Sequence, residues 1–344
     1  MDAISSGTDP LYIIGTERSG SNLLRVMLNA HSGIALPHPP HILRYFSPLE
    51  KAYGDLEASE NLSRLVGDVL RLLQVHISPW DFEPDAERVV AEARPRDLLG
   101  VFTAIYDQFL ERSGKRRWGC KSTFAIHHVD RILERDPEAR FLWLVRDPRD
   151  VALSSKRSVF SPCHPYFTAC LWREQQALGS ALAGQIGDRR VLQISYEKLI
   201  ADPEITLRSL CDFLEEEFED GMLQFHETRE AVEGAELSED WRNTAQPVLR
   251  GNSGKYKAGL TQDEIRVVEA ETGDLMRQLG YALDFPGQGS SPSLARRLRY
   301  RIEDRAWHLQ VEWRSMRTDK NHWRRWNRGA TVKALELRRR LGGL

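Results

Sequence analysis

The sequence predicts an α/β fold with a parallel sheet covered by helices on both faces, and three observations point to it. Short apolar segments alternate with longer amphipathic ones along most of the chain. The segment Arg140–Val145 reads Arg-Phe-Leu-Trp-Leu-Val, the near-continuous apolar run of a strand buried on both faces. A glycine-bounded loop from Gly15 to Gly20 joins an apolar segment to an amphipathic one.

The elements follow in order. Leu11–Ile14 reads as a short strand, and Ser21–Ala30 as a helix with Leu24, Met27 and Leu28 on one face. His31–Pro48 is a loop rich in Pro and His, followed by helices over Ala58–Gln74 and Ala86–Arg112. Arg117–Lys121 is a second strand and Ala125–Glu134 a helix. After the strand Arg140–Val145, Pro148 sits where a helix can begin and Arg149–Val159 continues it. Tyr166–Ile186 is helical, Val191–Ser195 is a fourth strand, and Pro203–Leu214 is a helix after Asp202. Thr261 starts another helix, with Asp263 and Glu264 in its first turn. Ligands on parallel sheets bind beyond the C-terminal strand ends, and Gly15, Lys121 and Arg146 all stand there.

Composition narrows the class. The 344 residues are 41% apolar and 28% charged, ordinary for a soluble chain able to bury a large core. No apolar run approaches the roughly 20 residues of a membrane span. The N-terminal residues lack the basic and apolar regions of a signal peptide. Cys120, Cys163, Cys170 and Cys211 match neither a zinc pattern nor a disulfide framework, so the expected compartment is the reducing cytoplasm. The net charge of −2 hides an asymmetry: residues 291–344 hold 15 Lys plus Arg against 5 Asp plus Glu, leaving −12 for the rest. That basic tail also carries Trp307, Trp313, Trp323 and Trp326, and Gly287–Ser293 before it reads as a linker. The expected division is a domain over 1–286, the linker 287–293 and a helical extension over 294–344.

Two segments carry chemistry. Gly15-Thr-Glu-Arg18-Ser-Gly20-Ser-Asn22 has the geometry of a phosphate cradle at a helix N-terminus. A magnesium-nucleotide loop needs Lys and Ser or Thr after its last glycine, yet Ser21 and Asn22 stand there and the cation is Arg18. The loop therefore reads as a site for a phosphate-like anion without a required metal. In Arg146-Asp-Pro-Arg149-Asp150-Val-Ala-Leu-Ser154, a strand delivers Arg146 and the next helix Ser154, an arrangement that can hold a second phosphate. Arg149 reads as a surface partner of Asp147 or Asp150. Two anion sites on one edge suggest a ligand phosphorylated at both ends.

These segments resemble the sulfotransferases that use 3′-phosphoadenosine 5′-phosphosulfate (PAPS), in their bacterial and tyrosylprotein-sulfotransferase-like branch. Ile194-Ser-Tyr196-Glu-Lys-Leu and Leu249-Arg250-Gly251-Asn-Ser253-Gly254-Lys-Tyr256-Lys257 add to the resemblance in the family's order, and together it covers residues 10–282. It implies a three-layer P-loop-like fold. It also implies that Arg18, Ser19, Gly20, Ser21 and Asn22 hold the 5′-phosphosulfate, that Arg146, Ser154, Arg250 and Gly251 hold the 3′-phosphate, and that Tyr196 lies by the nucleotide. The implied reaction is in-line attack of an acceptor hydroxyl, less often an amine, on sulfur, releasing adenosine 3′,5′-bisphosphate, with no metal demanded. Arg18 would then stabilise charge growing on the bridging oxygen.

The base departs from the pattern. Lys121 matches the family's Lys-Thr-His-Leu-Pro stretch, but Thr123 stands at its His. Other branches draw a Glu from the loop after the first helix, where this chain has Pro39, flanked by His38 and His41. A neutral imidazole suits proton acceptance near pH 7, which makes His41 and then His38 the candidates. The competing readings are a nucleotide kinase or NTPase and a non-catalytic nucleotide-binding protein. The expected acceptor is a small hydroxylated molecule, a carbohydrate, a lipid-linked sugar or a tyrosine peptide, with no nucleic-acid partner, and the basic extension is a candidate contact for a membrane or protein.

Overall fold

The computed structural model describes residues 9–289 and 291–340; the first eight residues, Ser290 of the expected linker and the last four residues lie outside the described residues. Five strands form the sheet among them: β1 (Leu11–Gly15), β2 (Ile34–Ala35), β3 (Arg117–Lys121), β4 (Arg140–Val145) and β5 (Val191–Ser195). All pairings are parallel, in the order β2-β3-β1-β4-β5. The architecture is the helix–sheet–helix α/β fold that the alternation of segments implies.

The period-2 alternation of strand side chains sorts the core. Tyr12, Ile14, Phe141, Trp143 and Val145 point into one apolar cluster, and Leu11, Ile13, Leu142, Leu144 and Ile194 into the other. All ten are buried, and burying a side chain of this size stabilises by about 1.5–3 kcal/mol. Helices Leu98–Ser113 and Pro165–Ile186 contribute to the first cluster, and helices Ser21–Asn29 and Pro203–Leu214 to the second. Helix Pro165–Ile186 approaches the sheet at Gly179, where an added Cβ would stand 2.4 Å from the Trp143 indole nitrogen. That nitrogen donates to Gln176 Oε1 at 2.6 Å, and Gln176 Nε2 donates to Thr16 Oγ1 at 3.1 Å. The start of the glycine-bounded loop is thus tied to the core.

Several expected boundaries move. The helix expected over Ala86–Arg112 is two helices, Ala86–Glu92 and Leu98–Ser113, because Pro95 stops the first. Asp97 caps the second, its carboxylate accepting from the Gly100 N–H at 2.7 Å. The loop expected over His31–Pro48 contains β2 and a short helix, Ile42–Phe46. The helix expected over Ala125–Glu134 opens as a 3₁₀ turn, Ala125–His128, before Val129–Arg135. The helix begun by Pro148 ends at Ser155, and Thr261 and Glu264 form a reciprocal capping box.

The basic extension holds helices Leu294–Thr318 and His322–Arg340. Val332 and Leu335 enter the first core cluster, and Asn321 Nδ2 donates to the Ile77 carbonyl at 2.8 Å. Tyr300 and Trp307 stack on the His164 ring, with centroids 4.2 and 5.3 Å away. Among the described residues no helix is long and apolar enough to cross a membrane.

Candidate active site

The loop after β1 turns through Arg18 at φ 68° and Gly20 at φ 92° before helix Ser21–Asn29 begins. A non-glycine residue in the left-handed region costs of order 1–3 kcal/mol, so the position of Arg18 is held by its surroundings. Gly20 is required twice over. Its backbone is left-handed, and a Cβ would lie 2.4 Å from two ring carbons of Tyr196. Tyr196 opens the helix after β5, Tyr196–Ala201, so the Tyr196 motif packs directly on the first.

Arg146, just beyond β4, ties this loop to the segment after Leu249. Its NH1 donates to the Arg18 carbonyl at 2.8 Å and its NH2 to the Asn252 carbonyl at 3.1 Å. Its guanidinium lies 4.3 Å from the centre of the Tyr196 ring, and Asn252 Nδ2 donates to the Tyr196 hydroxyl at 2.6 Å. Asp150 anchors the same segment by accepting from the Gly254 and Tyr256 N–H groups at 2.6 and 2.9 Å. Arg18 Nε donates to Ser154 Oγ at 3.1 Å, and its guanidinium is 3.0 Å from Asp240 Oδ1. Asn22 Oδ1 accepts from the buried Arg25 at 2.9 Å.

A cavity of about 600 Å³ opens at this sheet edge. It brings together Arg18, Gly20, Ser21, Asn22, His38, His41, Lys121, Arg146, Ser154 and Tyr196 from the expected set. Ser19 is buried beneath it, with a hydroxyl that has no partner among the described residues, as is also true of Arg146 Nε. Arg250 and Gly251 are exposed and stand off the cavity wall, while Leu249, Asn252 and Lys255 line it. Arg149 is not at the surface as expected. It is buried, pairing with Asp147 and Glu269 at 2.7 Å each, so its role is to tie helix Pro148–Ser155 to helix Gln262–Gln278.

The histidines line the same cavity. His41, at φ 58°, places Nδ1 3.3 Å from Ser122 Oγ, next to the end of β3. Burial, with Lys121 and Arg44 nearby, holds its pKa well below the usual imidazole value of 6.5. His38 is buried against Trp241 and His76, with ring centroids 4.4 and 5.1 Å away, and neither of its nitrogens has a partner among the described residues. Burial, then the neighbouring His76, lowers its pKa well below 6.5 too. Burial, reinforced by Arg25, pulls Lys121 down to about 8. The two imidazoles are therefore neutral near pH 7, and Lys121 is close to its titration point. Thr123 is buried, with a hydroxyl that has no partner among the described residues.

Sequence reasoning missed several wall residues. Glu17 accepts from Ser161 Oγ at 3.0 Å and faces Arg44 at 3.7 Å. Asp240, Arg314 and Arg328 arrive from distant segments, the last two from the C-terminal helices. The positive charge of the tail hinted only at Arg314 and Arg328. Among the described residues no three His, Cys, Asp or Glu side chains are grouped to hold a metal ion.

Residues 10–220 match the profile of a family described as the sulfotransferase family. A protein-tyrosine sulfotransferase of Drosophila melanogaster is 22% identical over 284 residues, covering 79% of this chain and 51% of the relative. The chain thus spans about half the length of that relative. Two solved structures share the fold. The sulfotransferase domain from the curacin biosynthetic pathway has a TM-score of 0.55 at 23% identity, covering 80% of this chain and 99% of that one. The sulfotransferase domain from the Synechococcus PCC 7002 olefin synthase has a TM-score of 0.50 at 24% identity, covering 76% and 94%.

Proposed function

The chain belongs to the sulfotransferase family, and we propose that it moves the sulfuryl group of PAPS to an acceptor hydroxyl by in-line displacement, with adenosine 3′,5′-bisphosphate as the leaving product. One observation carries this reading: Arg18 and Arg146 converge on a loop that Gly20 and Tyr196 close, at the N-terminus of helix Ser21–Asn29. The residues fit a bisphosphorylated donor. Gly20 lets the Tyr196 ring close directly onto the loop, and Ser19 Oγ and Arg146 Nε are polar, buried and unpartnered among the described residues, left for an anionic ligand. PAPS would supply the sulfuryl group and a stabilised leaving group.

The protein's part is to bind, orient and take a proton. The Ser19 hydroxyl, the backbone N–H groups from Gly20 to Asn22 and the helix N-terminus bind the 5′-phosphosulfate, with Arg18 directed at the charge that grows on the bridging oxygen. Arg146 holds the 3′-phosphate, with Asn252 beside it; Ser154, bonded to Arg18, links the two anion sites. Ser122 Oγ faces His41 Nδ1, which orients the ring and leaves Nε2 to accept the hydroxyl proton. Lys121, at the end of β3, adds positive charge facing the transferring group. His38 is the alternative base on the same wall. No metal ion has a part in this scheme.

The acceptor class is a small hydroxylated molecule, a carbohydrate or a lipid-linked sugar, and nucleic acid is not a partner. The four unpaired cysteines among the described residues suit a reducing compartment, and the proposed location is the cytoplasm. The domain over 1–286 performs the transfer, and the extension beyond the 287–293 linker adds a contact surface for a membrane or protein. The test is incubation of the protein with PAPS labelled in the sulfuryl group and a panel of hydroxylated acceptors, with and without EDTA. Labelled product that persists in EDTA supports the proposal. Magnesium-dependent phosphate release from ATP, with no labelled product, overturns it.

A further inference from the structure

The C-terminal helices turn apolar side chains in two opposite directions. Helix Leu294–Thr318 buries Tyr300 and Ser315 against the domain. Its other side presents Leu294, Leu298, Ile302, Leu309, Trp313 and Met316, each between 53% and 84% exposed. At about 100° per residue these six fall within an arc of about 100° on the solvent side. Helix His322–Arg340 repeats the arrangement, burying Val332 and Leu335 while exposing Trp323, Trp326 and Leu337. Nine of the thirteen large hydrophobic residues exposed among the described residues stand on these two helices, so the apolar exposure is concentrated on the extension.

Charge is sorted in the same sense. Arg301, Arg305, Arg317, Arg324 and Lys333 are exposed and have no carboxylate partner among the described residues. Four of the five acidic side chains of the extension are already engaged; only the Glu336 side chain has neither an ion pair nor a hydrogen bond among the described residues. Asp304 accepts from the His164 N–H at 2.8 Å, Glu303 pairs with Arg299 and faces His164, and Glu312 and Asp319 pair with Arg325 of the second helix. Arg317 lies 3.7 Å from the centre of the Trp313 ring, so a cation sits at the edge of the apolar face.

We propose that the outward faces of these two helices dock the protein on an anionic lipid surface, with Leu, Ile and Trp side chains among the upper acyl chains and the arginines at the headgroups. Apolar exposure flanked by unpaired cations, with Trp on the apolar side, is the pattern of helices that lie in a membrane interface. Arg stems add apolar contact while their heads stay with the phosphates. A second copy of the chain fits less well, because stripe-to-stripe contact would bring the arginines of one copy toward those of the other. The inference deepens the contact role given to the extension in the proposed function, and it is read from binding alone, without turnover.

The experiment is flotation of the full chain with phosphatidylcholine vesicles, with and without phosphatidylserine, alongside tryptophan emission. The expected result is binding to the phosphatidylserine vesicles that exceeds binding to neutral ones by roughly tenfold or more, weakens in high salt and shifts emission to the blue. The variant L298S/I302S/L309S/W313S changes only exposed positions. It should lose that binding while keeping the circular dichroism and melting temperature of the parent. A charge variant, R301E/R305E, should bind several-fold more weakly. Equal flotation with both vesicle types, no flotation with either, or a parent dimer in sedimentation that the four-serine variant abolishes would each overturn the proposal. Failure of sulfuryl transfer with flotation intact would count against the proposed chemistry only.

Discussion

At the donor end of the cavity Arg146 directs NH1 and NH2 at two backbone carbonyls and the Tyr196 hydroxyl takes a hydrogen bond from Asn252, whereas at the histidine end both ring nitrogens of His38 and the hydroxyl of Thr123 have no partner among the described residues. The donor end is built from four distant segments fastened to one another: the loop after β1, Arg146 after β4, Tyr196 after β5 and the turn around Asn252. The histidine end is polar, buried and open to new bonds, though each unsatisfied buried group costs about 1–3 kcal/mol. The fold ties the donor end together and leaves only Ser19 Oγ and Arg146 Nε unpartnered among the described residues, whereas the histidine end is completed by what binds. Substitutions at the first should therefore appear mainly in donor affinity, and substitutions at the second mainly in turnover.

Arg18 stands between the two ends, and its loss is the largest expected effect. Arg18→Ala should lower kcat by roughly 10³–10⁵, the range for an arginine on a transferring phosphoryl group, while donor binding changes far less. Single-turnover transfer of the labelled sulfuryl group measures it, and parallel losses in binding and turnover would move Arg18 to a purely binding role.

His41→Ala should lower kcat by roughly 10²–10⁴ with donor KM held. The same residue makes a pH prediction. Burial keeps the His41 pKa well below 6.5, so its proton-accepting form is already present at pH 6.5 and is lost only at lower pH. Lys121 titrates at about 8, so activity should fall again as pH rises through that value. A profile of kcat/KM against pH, which reports the groups of the free protein, should show the acid limb below 6.5 and the alkaline limb near 8 in the parent. The acid limb should vanish in the His41 variant; an acid limb that persists there would pass the proton to His38.

Arg146→Ala should raise donor KM roughly ten- to a hundredfold, since a charge-assisted hydrogen bond is worth about 1.5–3 kcal/mol. Steady-state kinetics would show kcat changing less than KM. A dominant kcat effect would erase the distinction between the two ends. Asp240→Asn gives the smallest effect. Asp240 sits 3.0 Å from the Arg18 guanidinium, as an anionic competitor for the group that meets the donor. Its neutralisation should lower donor KM by several-fold, and a rise in KM would make Asp240 a positioning partner of Arg18.

Much of the donor end was legible because its signals are local. Glycines at fixed spacing, an arginine inside the loop, and Arg146 at the end of an apolar run all lie within short segments. The sheet was legible for the same reason, since β1 and β4 are apolar runs that bury both faces. β2 was not, because two residues are too few to show a period. Pro95 was a readable stop that the apolar periodicity on both sides masked. Arg250 and Gly251 were expected at the anion site, yet Asp150 grips the N–H groups of Gly254 and Tyr256, and the register this sets brings Leu249 and Asn252 to the wall. Asp240, Arg44, Arg314 and Arg328 reach the cavity only through tertiary packing, and no spacing in the chain announces them.

The central claim is that one cavity holds a bisphosphorylated donor at the Arg146 end and does its proton chemistry at the His41 end. Calorimetric titration of adenosine 3′,5′-bisphosphate into the parent, Arg146→Ala and His41→Ala proteins tests it most directly. The account predicts binding by the parent, roughly ten- to a hundredfold weaker binding by the Arg146 variant, and unchanged binding by the His41 variant. No binding by the parent, or equal weakening in both variants, would contradict it.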